Sequence, residues 1–331
     1  MIDNQLPFFG EPDLGSEQSV IAPQDNLERP EWILALLALS GIGNKKALQL
    51  IKNFKSIENL RNAPSLEIQK VIGKTTINFE KLESLDASQP GDVKILTYFD
   101  PLYPSGIRDL EDPPPLLWYR GSIPEIKSVA IVGTRNADQW GRNTTRLIAR
   151  KSSENGYAVV SGLALGIDTE AHKGCLEAAS PTIAILACDV RFPTPKSNNQ
   201  LGEEIIERGG CLIAEVPPGS ETESYALVAR NRIQAAWAQS LIVTQCGIPS
   251  GTLHTVRNAI ELGRQVVTVK PPEGAGGNQY EGNRHLIEES NFDVSILGGS
   301  KKFQESFKSR KHGADLVLNS VSEIEYYFEH F

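Results

Sequence analysis

The sequence holds no apolar run near the ~20 residues that a bilayer-spanning helix needs. Its first residues, MIDNQLPFFGEPDLGSEQ, are acidic where a secretory signal would be basic and then apolar. Both absences point to a cytoplasmic globular protein. The four cysteines, Cys175, Cys188, Cys211 and Cys246, are scattered without a CxxC pair; reduced core thiols are the expectation, with no metal or redox site. A basic excess is missing too, the net charge being -8, but the acid is unevenly spread. Residues 1–31 carry seven Asp/Glu against Arg29 alone, whereas residues 127–270 carry 15 Lys/Arg and 13 Asp/Glu. The overall sign therefore excludes little about a nucleic-acid partner. Nucleotide fingerprints are absent as well. The first strand-to-turn junction lacks GxGxxG, the second strand ends in Ser161-Gly162 where a ribose-binding acid would stand, and nothing reads GxxxxGK[ST].

What remains is a 331-residue chain, 40% apolar, long enough for one sizeable core and one or two small domains. Residues 1–30 lack apolar periodicity and read as a disordered acidic leader. Within 31–88, Trp32, Ile33, Leu36 and Leu37, then Ala47, Leu48, Leu50, Ile51 and Phe54, recur at helical spacing around Leu39-Ser40-Gly41-Ile42-Gly43. This reads as a small SAM/helix-hairpin-helix-like domain, whose corner either holds a DNA phosphate on the amides of the second helix or is a tight turn with no ligand. Residues 89–126 form an extended connector: three prolines at 113–115 cannot lie inside a helix, and the LLWY that follows fits an added strand or a docked segment.

From residue 127 the pattern becomes regular. Apolar runs at 129–132, 158–160, 182–187, 211–214, 241–244 and 266–269 alternate with helix-length stretches, several ending in glycine. This predicts an α/β fold, a Rossmann-like doubly wound and mostly parallel sheet, over 127–298. A short helix is expected around 285–290, and residues 299–331 should add one strand and a closing helix.

Ligands of such sheets bind at the carboxyl ends of the strands. There the sequence places Gly133, Thr134 and Arg135, then Ser161-Gly162-Leu163-Ala164-Leu165-Gly166-Ile167-Asp168, and later Ser250-Gly251-Thr252. The first turn pairs backbone amides with a guanidinium, which suits an oxygen-rich anion. Gly162 and Gly166 would let backbone approach a ligand closely. Asp168 either caps the helix that follows or orients Arg135. His172, with Lys173 beside it, is a packed polar residue or a catalyst. Arg230-Asn231-Arg232 lies in a helical stretch with Ile233, Ala236 and Trp237 as its buried stripe, so the two arginines cannot both share that face.

In this order, LSGIGNKKALQLIKNF, the YP at 103–104, DPPPLLWYRG, IVGTR, SGLALGIDTEAH, AEVPPG, RNRI and SGTLHT resemble the blocks of the DNA-processing protein A (DprA/Smf) family, from about Glu31 to the C-terminus. The resemblance implies a protein without catalytic residues or cofactor that binds single-stranded DNA, forms a homodimer, and in transformable bacteria hands the strand to a RecA-type recombinase. It implies that Gly133, Thr134, Arg135, Ser161, Gly162, Ala164, Gly166, Ser250, Gly251 and Thr252 hold the DNA backbone, with Lys173, Arg230, Asn231 and Arg232 along the same groove and Asp168 and His172 orienting them. The chain departs from the family at Leu227-Val228, where Phe-Pro is usual, at Val269-Lys270-Pro271, and in lacking the C-terminal winged-helix domain; a role in defence against foreign DNA is the neighbouring expectation. A second resemblance sets an enzyme alternative. Gly247-Ile248-Pro249-Ser250-Gly251-Thr252 looks like the first half of the PGGxGTxxE loop of lysine-decarboxylase-like phosphoribohydrolases, whose glutamate would fall at Thr255.

Overall fold

The structure, a computed structural model, describes residues 23–221, 224–288 and 292–330. Its first helices are α1 (Pro30–Leu37), α2 (Asn44–Phe54), α3 (Ile57–Asn62) and α4 (Ser65–Ile72). The apolar spacing read from the sequence buries Trp32, Ile33, Leu36, Leu48 and Ile51 between them, and Gly41, at φ +79°, turns the corner before α2. Most of the expected acidic leader, residues 1–22, lies outside the described residues. Its last part is corrected: Asn26 bridges Ser56, Leu27 is fully buried, and the Trp32 indole N–H donates to Gln24 O at 2.8 Å, so this stretch packs on the helices.

The remaining elements follow in chain order: β1 (Lys94–Thr97), α5 (Ser105–Arg108), β2 (Leu116–Gly121), β3 (Ser128–Val132), α6 (Gln139–Glu154), β4 (Ala158–Ser161), α7 (Ile167–Glu177), β5 (Thr182–Leu186), α8 (Asn199–Glu207), β6 (Cys211–Ala214), α9 (Ser224–Trp237), β7 (Ser240–Val243), α10 (Gly251–Glu261), β8 (Gln265–Val269), α11 (Glu281–Ile287), α12 (Lys301–Phe307), β9 (Leu316–Leu318) and α13 (Val321–His330). The nine strands form one sheet in the order β1-β2-β6-β5-β4-β3-β7-β8-β9. β3 to β9 are parallel where they pair, while β1 and β2 are antiparallel to each other and β2 to β6. The connector is therefore an edge of the sheet and not a spacer beside it.

Every residue of β3, β4, β5, β6 and β7 is buried, as expected of parallel strands covered on both faces. The period of two sends Val129 and Ile131 towards one helical layer, with Ile148 of α6, Ala171 of α7 and Phe328 of α13. Ala130 and Val132 face the other, with Ile233 of α9 and Val256 of α10. A third cluster joins the N-terminal helices to Leu116, Trp118, Leu186 and Ala214. β3 lies between β4 and β7, so the strand order reverses there, and a doubly wound sheet opens its crevice at that point.

Candidate functional site

At the reversal lies a cleft of about 430 Å³. It is lined by Gly133, Thr134 and Arg135 after β3, by Ala164 and Asp168 after β4, by Arg230 and Asn231 of α9, and by Ser250, Gly251 and Thr252 at the start of α10. Four separate stretches of sequence meet there. The first turn is held from both sides: Thr134 N donates to Gln245 O at 2.8 Å, and Ile167 N to Thr134 O at 3.1 Å. Asp138 braces it by capping α6 through Gly141 N (2.8 Å) and by accepting from Gln279 Nε2 (3.0 Å) and from the Tyr280 hydroxyl. Ser250 Oγ accepts from Thr252 N at 3.2 Å and Ser250 O from Leu253 N at 3.1 Å, which fixes the first turn of α10 beside the cleft. A Cβ at Gly251 would meet nothing within 4 Å, so this backbone is open to a ligand.

The two arginines of the cleft differ. Arg135 is exposed and has no ion-pair partner among the described residues. Arg230 is buried, with Nη1 donating to Ile185 O at 2.8 Å, Nη2 lying 3.9 Å from Asp168 Oδ2, and Nε left without a partner. Burial lowers the Arg230 pKa from its usual value, against the pull of Asp168. Burial likewise pushes the Asp168 carboxyl up, ahead of the opposing effects of Arg230, the Ala164 amide, the Ser161 hydroxyl and Arg135. The Gln234 amide completes the wall, oriented so that its oxygen accepts from Gly162 N (3.0 Å) and Arg230 Nη1 (3.3 Å) while its nitrogen donates to Asn231 Oδ1 (3.3 Å). Asn231 Nδ2 in turn donates to Gly251 O at 3.3 Å, tying α9 to α10.

The sequence profile described as DNA recombination-mediator protein A matches residues 94–296, more than half of the chain. The chain belongs to this family. The Smf protein of Synechocystis sp. is 33% identical over 279 residues, 79% of this chain and 69% of its own length. The DNA processing protein DprA of Streptococcus pneumoniae is 33% identical over 192 residues, 57% of this chain and 67% of its own. Among solved structures, the X-ray structure of the S. pneumoniae DprA aligns with a TM-score of 0.65 at 24% identity, covering 89% of this chain and 96% of that one. A Helicobacter pylori DprA, solved for its single-stranded DNA binding mode, aligns with a TM-score of 0.56 at 22% identity over 72% of this chain and 97% of its own. At these identities both structures speak for the fold: this is a DprA/Smf member with a Rossmann-like core.

Several residues expected at the groove stand elsewhere. Ser161 is fully buried and donates to Ile131 O at 2.7 Å. Gly162 makes room for Arg230 and not for a ligand, since a Cβ there would sit 1.5 Å from Arg230 Nη1. Gly166, at φ +75°, would bring a Cβ within 2.4 Å of Thr134 O, so it lets the two turns pack together. Lys173 lies 3.8 Å from Glu170 on α7, outside the cleft. Arg232 is on the far side of α9, where Nη2 donates to both Glu215 oxygens at 2.7 Å. Thus Arg230 and Arg232 do not share this groove. The helical corner is also settled: Lys45 N donates to Asp112 Oδ1 at 2.9 Å, so a side-chain carboxylate from the connector occupies the start of α2 where a phosphate would bind.

His172 is packed, not catalytic in placement. Thr182 Oγ1 spends its hydrogen on Val159 O (2.7 Å), so His172 Nδ1 (2.8 Å) must be the donor to Thr182 Oγ1, which leaves Nε2 a buried acceptor without a partner. Burial, helped by the Arg230 charge, lowers its pKa to about 3. Leu227, Val228 and Thr255, named in the sequence as departures from related motifs, also line the cleft, and so does Gln234, which the sequence reading missed. The spacing of Leu227, Asn231 and Gln234 on one helix face was the available signal.

Proposed function

We propose that the protein binds the sugar-phosphate backbone of single-stranded DNA in the cleft at the β3/β7 reversal, as a recombination mediator of the DprA type. The observation that carries this is the convergence of Arg135, the turn after β3 and the start of α10 on one open cleft, with Arg135 free of any ion pair among the described residues. A helix start with open backbone at Gly251 and an unneutralised guanidinium suit a phosphate. The solved H. pylori relative, described by its single-stranded DNA binding mode, supports the same class of ligand. Leu227 and Val228 stand where the family resemblance expects Phe-Pro; Val228 is 46% exposed, and the exposed ring nearby on α9 is Tyr225. Pairing into a homodimer and delivery of the strand to a RecA-type recombinase belong to this reading on the strength of family membership alone.

The protein acts here as a binder. The position that a phosphoribohydrolase would fill with glutamate holds Thr255, which lines the cleft but offers only a hydroxyl, and Asp168 is engaged behind Arg230. One experiment separates the readings: gel shifts of the purified protein with single-stranded DNA, double-stranded DNA and nucleoside monophosphates at two salt concentrations, with assay of free base release. The expected result is salt-sensitive retention of the single strand and no free base. Retention of mononucleotides alone, or release of base from them, would overturn the proposal.

A further inference from the structure

Helix α9 is a ridge between two clefts. Leu227, Asn231 and Gln234 line the one already described. Tyr225, Ala226, Ala229 and Arg232 line a second, of about 910 Å³, between α9, the connector and the N-terminal helices. Arg230 lines both.

The second cleft has the opposite chemistry. Its charged lining residues are Asp112, Glu215 and Glu221 against Arg230 and Arg232. Glu215 already binds Arg232 at 2.7 Å and accepts from Asn44 Nδ2 at 2.9 Å. A phosphate entering would therefore meet carboxylates and a neutralised arginine. Apart from Asn44 and Ser220 the rest of the wall is apolar, with Trp118 and Pro217 lining the cleft and Tyr225 69% exposed on its rim. Arg232 Nη1 is a buried donor that finds no acceptor among the described residues. An apolar wall with one unmatched donor is the composition of a pocket for a flat, carbonyl-bearing, uncharged group. The way from the first cleft to the second crosses the N-terminal half of α9, where Tyr225 and Val228 are exposed, over a helix ~10–12 Å wide.

Resting on the single-stranded DNA reading, we propose that the second cleft receives unpaired bases of the strand whose backbone the first cleft holds. The nucleotide is thereby divided, phosphate on one side of α9 and base on the other. The test compares a deoxythymidine oligomer with an abasic deoxyribose-phosphate oligomer of equal length and charge, by fluorescence anisotropy, on the full chain and two variants. Ala229→Leu adds a ringless side chain to the wall, and Tyr225→Ala removes the rim ring. The wild type should prefer the base-bearing oligomer by about tenfold or more, the scale of stacking one base. Ala229→Leu should reduce that preference several-fold while leaving the abasic affinity unchanged, which also shows the variant to be folded. Should Ala229→Leu lose both affinities, Tyr225→Ala, altered at an exposed position, decides by the same comparison. Equal wild-type affinities, or a preference that neither variant changes, overturn this inference alone. Failure of the wild type to bind either oligomer overturns the proposed function as well.

Discussion

The two flanks of α9 are built from neighbouring residues of one helix and end with different electrostatics. On the β3/β7 side, Arg230 is sealed under Gly162 with one carboxylate 3.9 Å away, and Arg135 stands exposed in front of it. On the connector side, Arg232 is matched by a bidentate contact to Glu215, which is itself tied to the N-terminal helices through Asn44. A buried charge, an exposed charge and a neutralised charge thus stand around one helix and do different things. Arg230 stabilises the wall, Arg135 is available to an anion, and Arg232 holds the Glu215 carboxylate that also binds Asn44 of α2. Counting basic residues along a motif would have given all three the same role.

The largest expected effect tests the first role. Arg230→Ala leaves Asp168 buried without its partner and empties the space under Gly162, so it should cost about 3–5 kcal/mol of unfolding free energy in urea. A loss under about 1 kcal/mol would show that the buried pair holds nothing together. Next comes pH. His172 has its folded pKa lowered from 6.5 to about 3, so the unfolded chain binds the proton and the folded one does not. The stability from this group is present above pH 6.5 and is lost as pH falls towards 3, at about 1.4 kcal/mol per pH unit. Comparing His172→Gln with the wild type in urea at pH 7 and pH 5 should show a weaker pH dependence in the variant. Equal dependence would put the titration elsewhere. Gly162→Ala should destabilise by about 1–3 kcal/mol, because its Cβ and the Arg230 guanidinium cannot both fit, and should do so with no change in m-value.

The parallel strands were legible because burial on both faces writes itself as short apolar runs: the runs at 129–132, 158–160 and 211–214 match β3, β4 and β6 almost residue for residue. The turns after β3 and before α10 were legible for a related reason, since the carboxyl end of such a strand is where a doubly wound sheet opens. The direction of a side chain was not. Gly162 and Gly166 looked like ligand-facing glycines, yet what approaches them is Arg230 and the Thr134 carbonyl, partners far away in sequence. Lys173 read as basic and near the site, but Glu170, one turn before it, takes it to the other side of α7. β1 and α12 went unseen because each is short, and β1 is exposed or half-buried at most positions, which blurs the pattern of a strand.

The smallest effect on stability is the sharpest test of the comparison. Arg135→Ala removes an exposed side chain with no ion-pair partner among the described residues, so unfolding should change by less than about 0.5 kcal/mol. Its effect should appear in binding alone: the slope of log affinity against log salt for a single-stranded oligomer should fall by about one unit, the signature of one lost phosphate contact. Arg232→Ala is the matched control on the other flank. Its charge is already paired with Glu215, so it should leave the salt slope unchanged, even if removal of the ion pair lowers stability by up to about 1 kcal/mol. Equal slopes for the two variants would erase the distinction between the flanks and take Arg135 out of the phosphate site, because a counterion count does not depend on where in the fold the mutated charge was expected to act.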